Sequence, residues 1–100
     1  KIVAAEEGTA DSIPIFNNPM YGYSSDFLIS SSNVTSPELS IFGFGATSAN
    51  GYGIGYQILQ DTIPICITSY HDAADTNTGD YVETIKESLG EIRELAMMEE

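Results

Sequence analysis

Residues 30–56 read SSSNVTSPELSIFGFGATSANGYGIGY, and the fold depends on how that stretch divides. Three hydroxyls, Ser30, Ser31 and Ser32, close the apolar run Phe27, Leu28, Ile29. An apolar run of this length suits a strand buried on both faces, with the serines as its end. Pro37 marks a connection, and residues 40–47 then read as a second strand in which Phe42 and Phe44 alternate with Gly43 and Gly45. Glycine inside a strand pattern signals a bulge or a close approach by another group. Asn50-Gly51 predicts a hairpin turn, because both residues tolerate positive φ, and residues 52–59 form the return strand with Gly53 and Gly55 between larger neighbours.

Downstream, Gln60-Asp61 reads as another turn, and residues 63–70 as a fourth strand entered through Pro64. Three of the four strands are expected to run as a meander. Near Thr76 the period changes from two to 3.6: Tyr81, Val82, Ile85, Leu89, Ile92 and Leu95 recur three or four apart on one face of an amphipathic helix. Thr76 or Thr78 can cap it, and Asp80 and Glu83 sit near the positive end of its dipole. Gly90 costs roughly 1 kcal/mol against Ala in a helix interior. Glu83, Glu87 and Glu91 make an acidic row that reads as a solvated face. Upstream, residues 1–13 read as an entering segment or a short helix that ends by Gly8. Residues 12–23, with Pro14, Asn17, Asn18, Pro19 and Gly22, predict a loop pinned by Phe16, Tyr21 and Tyr23. The fold class is α+β, an antiparallel or mixed sheet portion followed by a C-terminal amphipathic helix.

One hundred residues form a single domain portion, residues 1–100, with one modest core. Three Lys and Arg against fifteen Asp and Glu give a net charge of −12. That balance excludes a nucleic-acid or anionic-membrane partner, which such a chain repels. It also means that a polyphosphate is not gripped mainly by these residues. No apolar stretch reaches the ~20 residues that span a bilayer. The one cysteine, Cys66, lies in the apolar run Ile63-Pro64-Ile65-Cys66-Ile67 and reads as a small buried hydrophobe in a reducing, intracellular setting. His71, the one histidine, lies beside Asp72 and Asp75, an arrangement that fixes no metal geometry. Gly43-Phe44-Gly45 and the glycines from Gly51 to Gly55 lack the spacing, the lysine and the following helix of a phosphate loop. No metal and no bound cofactor are expected. The chain starts at Lys1 rather than Met, which reads as a fragment, a processed product or a trimmed piece.

Phe27-Leu28-Ile29-Ser30-Ser31-Ser32-Asn33-Val34, followed by Phe42-Gly43-Phe44-Gly45 and Asn50-Gly51-Tyr52-Gly53, resembles the C-terminal portion of the choline/carnitine acyltransferase family. The family pattern there reads Ser-Thr-Ser-Gln, then an Asp-Gly-Tyr-Gly turn at a matching distance. Ile15-Phe16, Pro19-Met20-Tyr21 and Ile67-Thr68-Ser69-Tyr70 also fall in family-like order. The resemblance runs from about Pro14 to Leu95. Ser31 stands for the family threonine, Asn33 for its glutamine and Asn50 for its aspartate.

The resemblance implies a portion of a chloramphenicol-acetyltransferase-like domain, and a reaction that moves an acyl group between coenzyme A and the hydroxyl of carnitine or choline. Its partners are then carnitine, acyl-CoA as co-substrate, and the N-terminal remainder of the enzyme, which carries the catalytic histidine; His71 is not its counterpart. Ser32 is implied as the catalytic oxyanion donor, a role typically worth ~3 kcal/mol. Ser30 is implied in holding the carnitine carboxylate, and Phe44 in facing the trimethylammonium, worth ~0.5–2 kcal/mol. Phe42 is implied as the floor of a short acyl pocket, and Asn33 as a contact for the pantetheine arm of coenzyme A. A mitochondrial or peroxisomal location follows from the family rather than from any signal in the chain. Choline in place of carnitine, and a non-catalytic folded fragment or interaction module, are the alternatives.

Overall fold

The computed structural model describes residues 2–98. A short helix α1 (Ile2–Glu6) ends at Gly8, whose φ of 72° no other residue type adopts as readily. Two single 3-10 turns, Ala10–Ser12 and Pro14–Asn17, lead to helix α2 (Pro19–Ser24). Strands β1 (Ile29–Asn33), β2 (Tyr52–Tyr56) and β3 (Ile65–Thr68) form one sheet in the order β1-β2-β3, and helix α3 (Thr78–Met98) completes the described chain.

The α+β class and the closing helix agree with expectation, but the sheet is mixed rather than a meander. β1 pairs parallel to β2, with Ser30 opposite Gly53 and Ser32 opposite Gly55. β2 pairs antiparallel to β3, with Gly53 opposite Thr68 and Gly55 opposite Cys66. Parallel neighbours require a crossover, which residues 34–51 supply. Residues 40–47 are therefore not a ladder strand. They cross one face of the sheet as an extended strap. A tight turn forms at 48–51, with the Gly51 amide donating to Ser48 O at 3.1 Å. Its central residues are therefore Ala49 and Asn50, and neither Asn50 nor Gly51 takes the positive φ expected of them. The turn delivers the chain from the strap into β2 rather than closing a two-stranded hairpin. The turn at 60–61 does close one: Gln57 N donates to Pro64 O at 3.1 Å and Leu59 N to Thr62 O at 2.9 Å.

Three further expectations change. The apolar run at 27–29 is not a strand buried on both faces: Phe27, Leu28 and Ile29 are 60%, 54% and 60% exposed, and the serines are the body of β1 rather than its end. Instead of packing, Leu28 contributes its carbonyl, which accepts from Tyr52 N at 2.7 Å. The 12–23 loop contains α2 because Asn18 caps it, its side chain accepting from Met20 N at 2.9 Å, and Pro19 presets the first helical φ. Helix α3 is capped by Asn77, whose Oδ1 accepts from Asp80 N at 3.0 Å, while the Thr78 hydroxyl pairs with that of Ser69.

Alternation along β2 assigns the two faces. Ile54, with Ile65 and Ile67 of β3, lies on the face against α3, where Val82, Ile85 and Leu89 line an apolar groove with Ile63, Ile65 and Ile67. Tyr52 stacks on Tyr81 with centroids 4.4 Å apart, and its hydroxyl accepts from Asn77 N at 2.7 Å. The opposite face carries Ser30, Ser32, Gly53, Gly55, Cys66 and Thr68, and the strap lies on it. A Cβ on Gly55 would come within 2.6 Å of Phe42 O and 2.9 Å of Gly43 Cα; one on Gly53 would come within 2.8 Å of Phe44 O. The strap is thus seated on a floor of bare backbone.

Gly55→Ala forces the strap off this floor and is expected to lower the free energy of urea unfolding by about 1–3 kcal/mol. Gly90→Ala, with open space around it, should raise that free energy by up to ~1 kcal/mol; equal effects of the two variants would refute the close approach.

Candidate functional site

Strand alternation puts the Ser30 and Ser32 side chains on one face of β1, with Ser31 and Asn33 on the other. Neighbouring strands lie ~4.8 Å apart, so the two serines flank the Gly53-Gly55 floor over which the strap passes. Ser30 is half-buried and Ser32 exposed. Phe42 and Phe44, two residues apart on the strap, are half-buried with ring centroids 5.9 Å apart. The structure therefore brings together, on one sheet face, four residues singled out in the sequence: Ser30, Ser32, Phe42 and Phe44.

Asn33 is not part of this group. It pairs with Tyr56 on the α3 side of the sheet, and its Oδ1 accepts from the Thr35 hydroxyl at 2.8 Å. Thr35 Oγ1 in turn accepts from Ile58 N at 3.1 Å. These bonds fix where β1 ends and the crossover begins. His71 is exposed on the turn after β3. Cys66 is half-buried rather than fully buried, and lies beneath the strap: a Cβ on Gly43 would come within 2.5 Å of its sulfur.

Side chains rather than a backbone ladder tie the strap in place. At its entrance Gln57, wholly buried, donates from Nε2 to Leu39 O at 3.3 Å. Thr68 donates to Phe44 O at 2.6 Å and Tyr70 to Ala46 O at 3.0 Å. At its exit Thr47 donates to Phe27 O at 3.3 Å. Thr68 and Tyr70 lie in the family-like run Ile67-Thr68-Ser69-Tyr70, but nothing in the sequence marked them, or Gln57, as donors to the strap, since their partners are main-chain carbonyls far along the chain.

The electrostatics suit a cation more than an anion. Among the described residues the basic side chains are Lys86 and Arg93 on α3, and Lys86 is held by Glu83 at 3.0 Å. At the approach to the strap, the Ser36 hydroxyl donates to Glu38 and holds its carboxyl below the usual range. Two tilted aromatic rings on the sheet face that also carries two hydroxyls, in an acidic chain, can hold an organic cation that also carries a hydrogen-bonding oxygen.

Known proteins resemble most of this chain. A family model described as Choline/Carnitine o-acyltransferase matches residues 1–87. Choline O-acetyltransferase of Gallus gallus is 35% identical over 81 residues, 81% of this chain and 13% of the relative. A Saccharomyces cerevisiae protein named as a mitochondrial carnitine O-acetyltransferase is 34% identical over 79 residues, 79% of this chain and 11% of the relative. Choline O-acetyltransferase of Drosophila melanogaster is 29% identical over 92 residues, covering 92% of this chain and 13% of the relative. The chain spans about an eighth of the length of the curated relatives it matches.

Because the Ser32 hydroxyl is exposed while Gln57 is wholly buried, Ser32→Ala is expected to leave the urea-unfolding free energy within ~0.5 kcal/mol of the parent. Gln57→Ala, which strands the Leu39 carbonyl, should cost about 1–3 kcal/mol. A Ser32→Ala loss as large as that of Gln57→Ala would make Ser32 a structural residue.

Proposed function

The chain belongs to the choline/carnitine O-acyltransferase family, and from that premise we propose that it forms part of an enzyme moving a short acyl group between coenzyme A and the hydroxyl of carnitine. The observation that carries this reading is the grouping of Ser30, Ser32, Phe42 and Phe44 on one face of the sheet. We assign the sheet and α3 to a chloramphenicol-acetyltransferase-like domain whose N-terminal remainder supplies the general base. The many exposed apolar side chains, among them Phe27, Leu28, Ile29, Ile92 and Leu95, support a larger body that covers them.

In this mechanism the alcohol oxygen attacks the thioester carbonyl and its proton passes to the histidine of the remainder. The tetrahedral intermediate carries its charge on the former carbonyl oxygen, and the Ser32 hydroxyl donates to that oxygen. Collapse expels the coenzyme A thiolate, which recovers the proton. Phe44 faces the trimethylammonium and Ser30 donates to the carboxylate of carnitine. Phe42 closes the acyl pocket to long tails. β1 is an edge strand in the described sheet, so an extended pantetheine arm following that edge can reach Asn33 although it faces away from Ser32.

Choline as acceptor is the second reading, favoured by the names of the Gallus gallus and Drosophila melanogaster relatives. Choline has no carboxylate, so under that reading Ser30 loses its ligand and the aromatic contact remains. The mitochondrial name of the Saccharomyces cerevisiae relative supports an organelle location for the carnitine reading.

In the full-length enzyme, Ser32→Ala is expected to lower kcat by about 10- to 1,000-fold, with thiol release from acetyl-CoA as the assay; an unchanged kcat would remove Ser32 from the mechanism. The same assay with both alcohols should give the larger kcat/KM for carnitine, and the reverse order would establish the choline reading. Phe42→Gly should admit octanoyl-CoA as a substrate, and no gain there would free Phe42 from the acyl pocket.

A further inference from the structure

We propose that Thr68 and Tyr70 are positioning residues that clamp the 42–46 strap onto the sheet and so fix Phe44 on the face that carries Ser30 and Ser32. This assignment rests on the acyl-transfer reading for its consequence, though not for its geometry. Among the described residues no backbone hydrogen bond holds residues 42–46 to the sheet. The Thr68 hydroxyl donates to Phe44 O at 2.6 Å, with a second, longer contact to Gly53 O at 3.4 Å, and Tyr70 donates to Ala46 O at 3.0 Å. Donors and acceptors are each two residues apart. Two side chains of the β3 segment therefore do for the strap what two main-chain rungs do for a strand.

The clamp depends on the glycine between its parts. A Cβ on Gly53 would come within 2.7 Å of Thr68 Oγ1 and 2.8 Å of Phe44 O, so only glycine leaves room for the Thr68 bond. The bonded carbonyl belongs to Phe44 itself, which transmits the position of β3 directly to the ring-bearing residue. Thr68 and Tyr70 act through Phe44 and need not touch a substrate. Cys66, two residues from Thr68 on the same face and beneath Gly43, supplies a reporter: a strap that lifts uncovers the thiol.

The test compares Thr68→Val, which keeps the shape and removes the donor, with Thr68→Ser, which keeps the donor, and with Tyr70→Phe, all in the full-length protein. Two quantities are read: the rate of Cys66 alkylation by iodoacetamide, followed by peptide mass, and the KM values for the acceptor alcohol and for acetyl-CoA. Thr68→Val and Tyr70→Phe are each expected to speed alkylation about five-fold, the equivalent of one net hydrogen bond, with Thr68→Ser at the parent rate. The acceptor KM should rise by a similar factor, with the acetyl-CoA KM unchanged. Parent-like alkylation in both donorless variants overturns the clamp whether or not the protein transfers acyl groups. Faster alkylation in a parent protein without acyltransferase activity upholds the clamp and removes only the acyl-transfer reading. Faster alkylation with both KM values rising together, or with neither rising, overturns the positioning role. If Thr68→Val loses its native circular dichroism, Tyr70→Phe carries the same readings.

Discussion

Two missing side chains decide this architecture. At Gly53 and Gly55 the sheet presents bare backbone, and the main chain of residues 42–46 occupies the space in which side chains would otherwise stand. An ordinary sheet keeps a covering layer ~10 Å away because side chains from both layers fill the gap. Here one layer is removed and the strap lies against the peptide plane. The crossover between two parallel strands thereby becomes a short path across the face rather than a separate helical layer, and the aromatic residues it carries share that face with Ser30 and Ser32 of β1.

A strap so close to the sheet cannot use the ladder. Its peptide groups lie over the strands rather than beside them, and the hydrogen bonds it makes come from side chains reaching up from the sheet and its flanks: Gln57, Thr68 and Tyr70. Such bonds give a net return of about 1 kcal/mol each, less than the cost of ordering several residues. The remainder comes from contact, including the burial of Ala46 and the half-burial of Phe42 and Phe44. The α3 side of the sheet follows ordinary rules by contrast, with isoleucines of β3 facing Val82, Ile85 and Leu89.

This contrast explains what the sequence made legible. The helix was readable because its apolar residues repeat at 3.6 and Val82, Ile85 and Leu89 meet the sheet, although Ile92 and Leu95 of the same face stay exposed and its cap proved to be Asn77 rather than a threonine. The glycines of residues 43–55 correctly signalled close approach. The identity of the approaching group was not readable, because alternation of Phe and Gly in residues 42–45 has the same period whether the segment pairs as a strand or passes over one. Parallel pairing of β1 with β2 was hidden for the same reason: Asn50-Gly51 specifies a tight turn without specifying what it connects. Serine has weak strand preference, so Ser30-Ser31-Ser32 read as an ending; register with Gly53, Ile54 and Gly55 overrides that preference. Ser30, Ser32, Phe42 and Phe44 were singled out through family-like spacing and lie on one face of the sheet; Thr68 and Tyr70 fell in another family-like run, but their part as donors was not readable because their acceptors are main-chain atoms.

Charge separates what this chain can bind from what acyl transfer from coenzyme A would also require. With a net charge of −12, its long-range field draws a quaternary ammonium alcohol and repels the phosphates of coenzyme A. An aromatic face adds to the attraction for the ammonium because the cation loses little hydration on meeting it. The nucleotide end of coenzyme A, with several phosphate charges, needs cations that the described face does not offer. Under the acyl-transfer reading, recognition is therefore divided: this chain receives the alcohol and stabilises charge on the carbonyl oxygen through neutral hydroxyls, while the phosphates are gripped elsewhere. Neutral donors suit that task. Under the same reading, a fixed cation beside Ser32 would repel an ammonium placed against Phe44, whereas a hydroxyl would stabilise the oxyanion without opposing it.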